Sequence, residues 1–158
     1  MQLFFQEKFL SGKMVITDME EKPVYTGKKS FWSETINLFE GKKKIAYIVE
    51  RNGLFNRGFH IRVGRKHVAR IQRKFSLLNQ KFHVKKLEWD ITGNFVSREY
   101  TIKKGEEIIA TIKRDKLISL TEGYTVDVVN PEDAVCVICV VLVLNKILRK
   151  QKGKLLKK

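Results

Sequence analysis

Cysteine and proline are scarce in this chain, with two of each among 158 residues. Cys136 and Cys139 have no second Cys or His pair at a suitable spacing, which excludes a disulfide framework and a four-ligand structural zinc site. Both sit among valines, a setting that raises thiol pKa values and argues against thioredoxin-type chemistry, so they read as small core residues one helical turn apart. The absence of any Ser/Gly/Pro-rich linker leaves one domain, as a chain near the usual size of roughly 100–150 residues permits. Long apolar runs are also missing. Ala134 to Leu144 ends in Asn145 and Lys146, far short of the roughly 20 residues a membrane span needs. Met1 to Lys8 lacks the basic and long apolar regions of a secretory signal and reads as a first strand; the expected compartment is the reducing cytoplasm. No Gly-x-Ser-x-Gly, His-Glu-x-x-His or phosphate-loop signature occurs, and His60, His67 and His83 make no metal triad. A non-enzyme without cofactor or metal is expected.

A hydrophobic fraction of 43% supports a real core. From Gln2 to Val129 short alternating runs are punctuated by turn residues, which argues strands. Twelve are expected: Gln2–Phe9, Lys13–Asp18, Pro23–Lys28, Ser33–Glu40, Lys44–Arg51, Gly58–Val63, His67–Lys74, Gln80–Lys85, Leu87–Thr92, Phe95–Lys103, Glu106–Arg114 and Gly123–Val129. Glu40-Gly41-Lys42, Asn52-Gly53, Thr92-Gly93-Asn94 and Lys104-Gly105 supply turn chemistry. An internal repeat runs through them. Ile45-Ala46-Tyr47-Ile48, Val68-Ala69-Arg70-Ile71 and Ile109-Ala110-Thr111-Ile112 share one pattern, each followed a strand later by Phe59-His60-Ile61, Phe82-His83-Val84 or Tyr124-Thr125-Val126. Alternation points Ala46/Ile48, Ala69/Ile71, Ala110/Ile112, Phe59/Ile61/Val63 and Phe82/Val84 inward; Tyr47, His60, Arg62, Arg70, His83, Lys85 and Thr111 point outward.

Asn130-Pro131-Glu132-Asp133 is a helix start, with a capping Asn, a proline at the first position and two acids at the positive end of the dipole. The apolar run that follows could be a buried helix, a membrane span or a β-branched strand; the cap and the length decide for the helix. A helix apolar on every side must be buried on every side, so the strands are expected to close around it.

Ile91-Thr92-Gly93-Asn94-Phe95, Arg98-Glu99-Tyr100-Thr101-Ile102, Ile109-Ala110-Thr111-Ile112, Tyr124-Thr125-Val126-Asp127-Val128 and the Glu132-Asp133 helix start resemble the LURP-one-related family, most specifically from Trp89 to Leu148. The resemblance places the chain in the tubby C-terminal-like superfamily, beside the phospholipid scramblases. It implies a mostly β fold: a twelve-stranded antiparallel closed barrel around a central hydrophobic C-terminal α-helix. Residues 1–150 would form the barrel with its helix over about 131–150, and 151–158 a basic tail. Asn145 stands where the family pattern has an aspartate. The phosphoinositide-binding positions of tubby proteins find no match here, and neither do the cysteine cluster and calcium segment of scramblases.

With 32 basic against 17 acidic residues the formal net charge is +15, a field that attracts polyanions without choosing among them. The same lysines also keep a β-rich surface soluble. A meander of three strands pairs position 60 with 70 through a turn near Gly64-Arg65-Lys66, and 70 with 85 through Ser76–Asn79. His60, Arg70 and Lys85 then align across one face, with Arg62, Gln72 and His83 beside them. The candidate anion-binding residues are therefore His60, Arg62, Arg65, Lys66, Arg70, His83 and Lys85, with Arg149, Lys150, Lys152 and Lys154 of the tail. An anionic phospholipid surface is the expected partner, with peripheral attachment and no transmembrane insertion; Leu155-Leu156 would make part of such binding salt-resistant. Nucleic acid is the alternative partner, although aromatics do not interleave with the cations.

Overall fold

Leu3 and Phe5 are buried while the residues beside them in β1 (Gln2–Lys8) are not, the period of two that a strand with one buried face shows. The computed structural model describes residues 1–8, 12–30, 33–55, 57–74, 81–94, 97–115 and 123–156, the side chains of 73–74 and 150–156 excepted. After β1 come β2 (Lys13–Thr17), β3 (Pro23–Lys29), β4 (Thr35–Glu40), β5 (Lys43–Arg51), β6 (Gly58–Val63), β7 (Lys66–Lys74), β8 (Lys81–Lys85), β9 (Trp89–Asn94), β10 (Glu99–Lys104), β11 (Glu107–Asp115) and β12 (Gly123–Val128). Each pairs antiparallel with the next, and β1 pairs with β12 from Gln2↔Asp127 to Gln6↔Gly123, so the sheet closes. The expected strands are present. Most boundaries move by one or two residues and β10 starts at Glu99, and one turn is reassigned: Gly93 lies inside β9, opposite Tyr100, and not in a turn after Thr92. The expected turn at Ser76–Asn79 falls outside the described residues.

The internal repeat is a bulged hairpin used three times. Gly41, Gly64 and Gly105 each open a two-residue turn at φ near +60°, a conformation that glycine adopts without steric cost. In each copy the register then slips by one residue just before the alanine, leaving Ile45, Val68 and Ile109 as the extra residues. The extra residues' carbonyls stay useful: Gly64 N–H donates to Ile45 O at 2.9 Å, and Val129 N–H to Ile109 O at 3.0 Å.

The alanines of the repeat, Ala46, Ala69 and Ala110, face inward and are buried. Their small side chains leave room for α1 (Ala134–Leu156), whose backbone approaches β5 and β6 most closely. Asn130 caps the start as expected: its side chain accepts from Glu132 N–H at 3.1 Å, and a 3-10 turn over Pro131–Asp133 leads into α1. Every residue from Val137 to Asn145 is buried, so the helix is sheathed all round. The helix backbone runs on to Leu156, carrying helical structure through the segment expected as a tail. Among the described residues no helix is long and apolar enough to cross a membrane.

Successive hairpins of an up-and-down barrel turn at alternate ends. The helix enters at the end where Met1 donates its ammonium to Val128 O, the cap end. It leaves at the end where β1, β3 and β5 finish, because Arg149 pairs with Glu7 and Lys146 with Glu34 and Glu50. We term this the exit end.

Candidate functional site

The outer wall of β5–β8 brings the cations together as the sequence register requires. His60 stands opposite Arg70, and Arg70 opposite Lys85; Gln72 stands opposite His83. Arg62 lies one step along from His60, between Tyr47 on one side and His67 on the other. His67 is the residue that sequence reasoning missed. Simple alternation would turn it inward with Ala69 and Ile71, but the bulge at Val68 rotates it onto the outer wall. There its Nε2 lies 2.9 Å from His60 Nδ1, with ring centroids 5.1 Å apart. One nitrogen of that contact must donate and the other accept, so the facing pair shares a single proton. Loss of solvent contact, followed by Lys86, His60, Arg62 and Arg70, holds the His67 pKa below its ordinary value.

The cations of this wall bond to carbonyls. Arg70 donates to Phe55 O at 3.1 Å, Arg62 to Arg65 O at 3.4 Å and Lys86 to His67 O at 3.0 Å. A carbonyl orients a cation but does not neutralise it. Among the described residues Arg62, Arg70, Lys85 and Lys86 have no ion-pair partner, and like charges facing across a ladder cost stability unless an anion intervenes.

Other expected site residues are placed differently. His83 puts Nδ1 3.0 Å from Asp90 and Nε2 3.5 Å from Glu88, so carboxylates already occupy both ring nitrogens. Arg65 lies in the β6–β7 turn at the cap end, and Lys66 opens β7 beside it, opposite Val63. Arg149 is paired with Glu7, and loss of hydration lowers its pKa. The side chains of Lys150, Lys152 and Lys154 lie outside the described ones.

A second constellation surrounds the helix where it leaves the barrel. Lys146 lies 2.9 Å from Glu34 and 3.3 Å from Glu50, donates to Glu34 O at 3.1 Å, and sits 5.8 Å from the centre of the Phe59 ring. Asn145 accepts from the buried Tyr124 hydroxyl at 3.3 Å. These contacts stitch α1 to the β3–β4 connection, β5, β6 and β12. Beside them a cavity of about 150 Å³ is lined by Lys13, Lys29 and Arg149 above Met14, Ile36 and Leu142. The ion pairs are far apart in sequence, and no local pattern signals them.

Among the described residues no group of three or more His, Cys, Asp or Glu side chains could hold a metal. Cys139 is fully buried and Cys136 partly so, and burial pushes both thiols up, that of Cys139 strongly. Cys139 should therefore resist thiol reagents in the native barrel and react only as fast as the protein unfolds; rapid labelling in native buffer, read by mass spectrometry, would contradict the packed helix.

The sequence profile of the LURP-one-related family matches residues 1–145. A search of curated proteins finds no significant match. Among solved structures, the X-ray structure of a protein from Arabidopsis thaliana is similar, with a TM-score of 0.69 and 16% identity over 92% of this chain and 91% of that one. A likeness at that identity speaks for the fold.

Proposed function

Because the chain belongs to the LURP-one-related family, where the barrel is a scaffold and function must be argued from the site, we propose that it is a non-enzymatic binding domain. It recognises an anionic membrane lipid through the basic wall of β5–β8, as a peripheral protein of the cytoplasmic membrane face. The observation that carries this reading is the register that lines up His60, Arg70 and Lys85, with Arg62, His67 and Lys86 alongside and no carboxylate paired with Arg62, Arg70, Lys85 or Lys86 among the described residues. A phosphate oxygen accepts from Arg, Lys and imidazolium alike and relieves their mutual repulsion.

Co-sedimentation with phosphatidylcholine vesicles, with and without phosphatidylglycerol, tests it. The protein should sediment with the anionic vesicles, and the triple reversal R62E/R70E/K85E should weaken binding by roughly 100-fold or more, since each cation near a surface contributes about 1 kcal/mol. Equal binding to both vesicle types, or to neither, removes the reading. Retardation of DNA or RNA in preference to vesicles, with a steep fall as salt rises, would transfer the wall to a nucleic acid.

The pH dependence has a fixed sign. In the free protein the lowered His67 pKa means that the unfolded chain binds the proton first, so stability falls as pH drops below about 6.5. A bound anion favours the imidazolium and raises that pKa, so binding takes up protons. Affinity for anionic vesicles should rise between about pH 7.5 and about pH 5.5, and H67N should flatten the rise.

A further inference from the structure

Leu54 and Phe55 are 96% and 94% exposed, side by side at the tip of the β5–β6 connection. Folding gives these two large apolar side chains no shelter, although Ile48 and Ile61 on the two strands they join are fully buried. Their loop is not adrift: the Phe55 carbonyl accepts from Arg70, so the tip is tied to the basic wall. Arg51 and Arg57, both exposed, flank the tip in sequence. The tip lies at the exit end, where α1 also emerges, its backbone running about 15 Å past Lys146 to Leu156 at 1.5 Å per residue. The opposite end has another character. Its connections carry more acids, Asp18, Glu20, Glu21, Glu132 and Asp133 among them, than cations, which are Lys22, Lys42, Arg65 and Lys86, so they are net acidic.

We propose that the exit end is the end that meets the membrane, with Leu54 and Phe55 entering the acyl region of an anionic bilayer while Arg51, Arg57 and Arg70 engage headgroup phosphates. The inference rests on the lipid-binding reading above and adds to it an orientation and an inserted apolar wedge. Adjacent exposed apolar side chains flanked by arginines suit the bilayer interface, where the apolar tips leave water and the guanidinium groups stay at headgroup depth. A nucleic acid would draw on the arginines but gives aliphatic Leu54 no partner. A second copy of the chain would have to bring a like-charged end against this one.

The test compares wild type, L54S/F55S and M19S on phosphatidylcholine vesicles containing phosphatidylglycerol, at low salt and at 1 M salt, where charges are screened beyond about 3 Å. Met19 is exposed in the β2–β3 turn at the cap end, so M19S controls for loss of any exposed apolar group. Wild type and M19S should keep a salt-resistant fraction bound. L54S/F55S should lose it, with a fall in partitioning of at least about tenfold at high salt, given the apolar area withdrawn from the bilayer, while low-salt binding by the basic wall survives. In a second measurement F55W should be quenched by lipids brominated on their acyl chains, beyond any quenching of wild type. Equal salt-resistant binding by wild type and L54S/F55S overturns the inference and leaves the lipid reading standing. An equal loss in M19S, or no added quenching in F55W, also overturns it. A dimer that L54S/F55S converts to monomer without change in vesicle binding reassigns the tip to self-association. If wild type binds no anionic vesicles at any salt, both readings fall together.

Discussion

Replacing Ile138 by aspartate should leave no cooperatively folded barrel. Ile138 has 0% of its surface exposed and lies on the helix where Val137, Cys139, Val140 and Val143 are equally enclosed. An unpaired carboxylate there either stays ionised in an apolar interior or takes up a proton and remains without an adequate acceptor, at a cost of several kcal/mol. That is a large share of the roughly 5–15 kcal/mol by which domains are stable. The conservative Ile138→Val should cost only about 0.5–1.5 kcal/mol, because one methylene is lost and the rod keeps its shape. Urea denaturation followed by circular dichroism separates the two. An aspartate variant within about 1 kcal/mol of wild type would mean that the helix is not the core of this protein.

Gly93→Ala carries the second large effect, through the backbone. A Cβ at Gly93 would stand 2.2 Å from the Glu99 carbonyl oxygen and 2.9 Å from the Tyr100 Cα, both fixed by the β9–β10 ladder. No side chain can step aside, so the strands must part or the register must move. A loss of about 3 kcal/mol is expected, at the upper end of what overpacking costs. Gly27→Ala is the informative contrast. Its Cβ would lie 3.0 Å from the Leu142 side chain, which can turn away, and about 1 kcal/mol should suffice. Equal stability of the two variants in the same denaturation series would deny the backbone contact at Gly93.

The pairing of His60 with Arg70 and of Arg70 with Lys85 was legible because strand periodicity is local and a turn near Gly64 sets the register. The helix was legible for a similar reason: Asn130-Pro131 marks its start, and an apolar run without a polar face leaves burial as its destination. The membership of residues 1–145 in the LURP-one-related family agrees with both, and the closed barrel around one helix is the tubby C-terminal-like architecture that the motifs from Trp89 to Leu148 implied. His67 escaped because one bulge inverts the side-chain parity of its strand, and the residue types of Lys66-His67-Val68 do not announce a bulge. With hindsight the signal was the repeat itself: a glycine five residues before Ala46, Ala69 and Ala110 accompanies the slip each time. The helix end was misplaced too, since cations that suit a helix terminus are equally at home in a helix that continues past the barrel rim.

From the amino-acid order alone came the strands, their faces, the buried helix and the excess of positive charge, all properties carried by near neighbours in the chain. Tertiary structure alone decided that Glu7 meets Arg149, that Glu34 and Glu50 converge on Lys146, and that Leu54 and Phe55 stand in water at the end where the helix emerges. Those facts depend on which strand ends close up around the helix, and closure is a property of the whole ring that no single segment encodes.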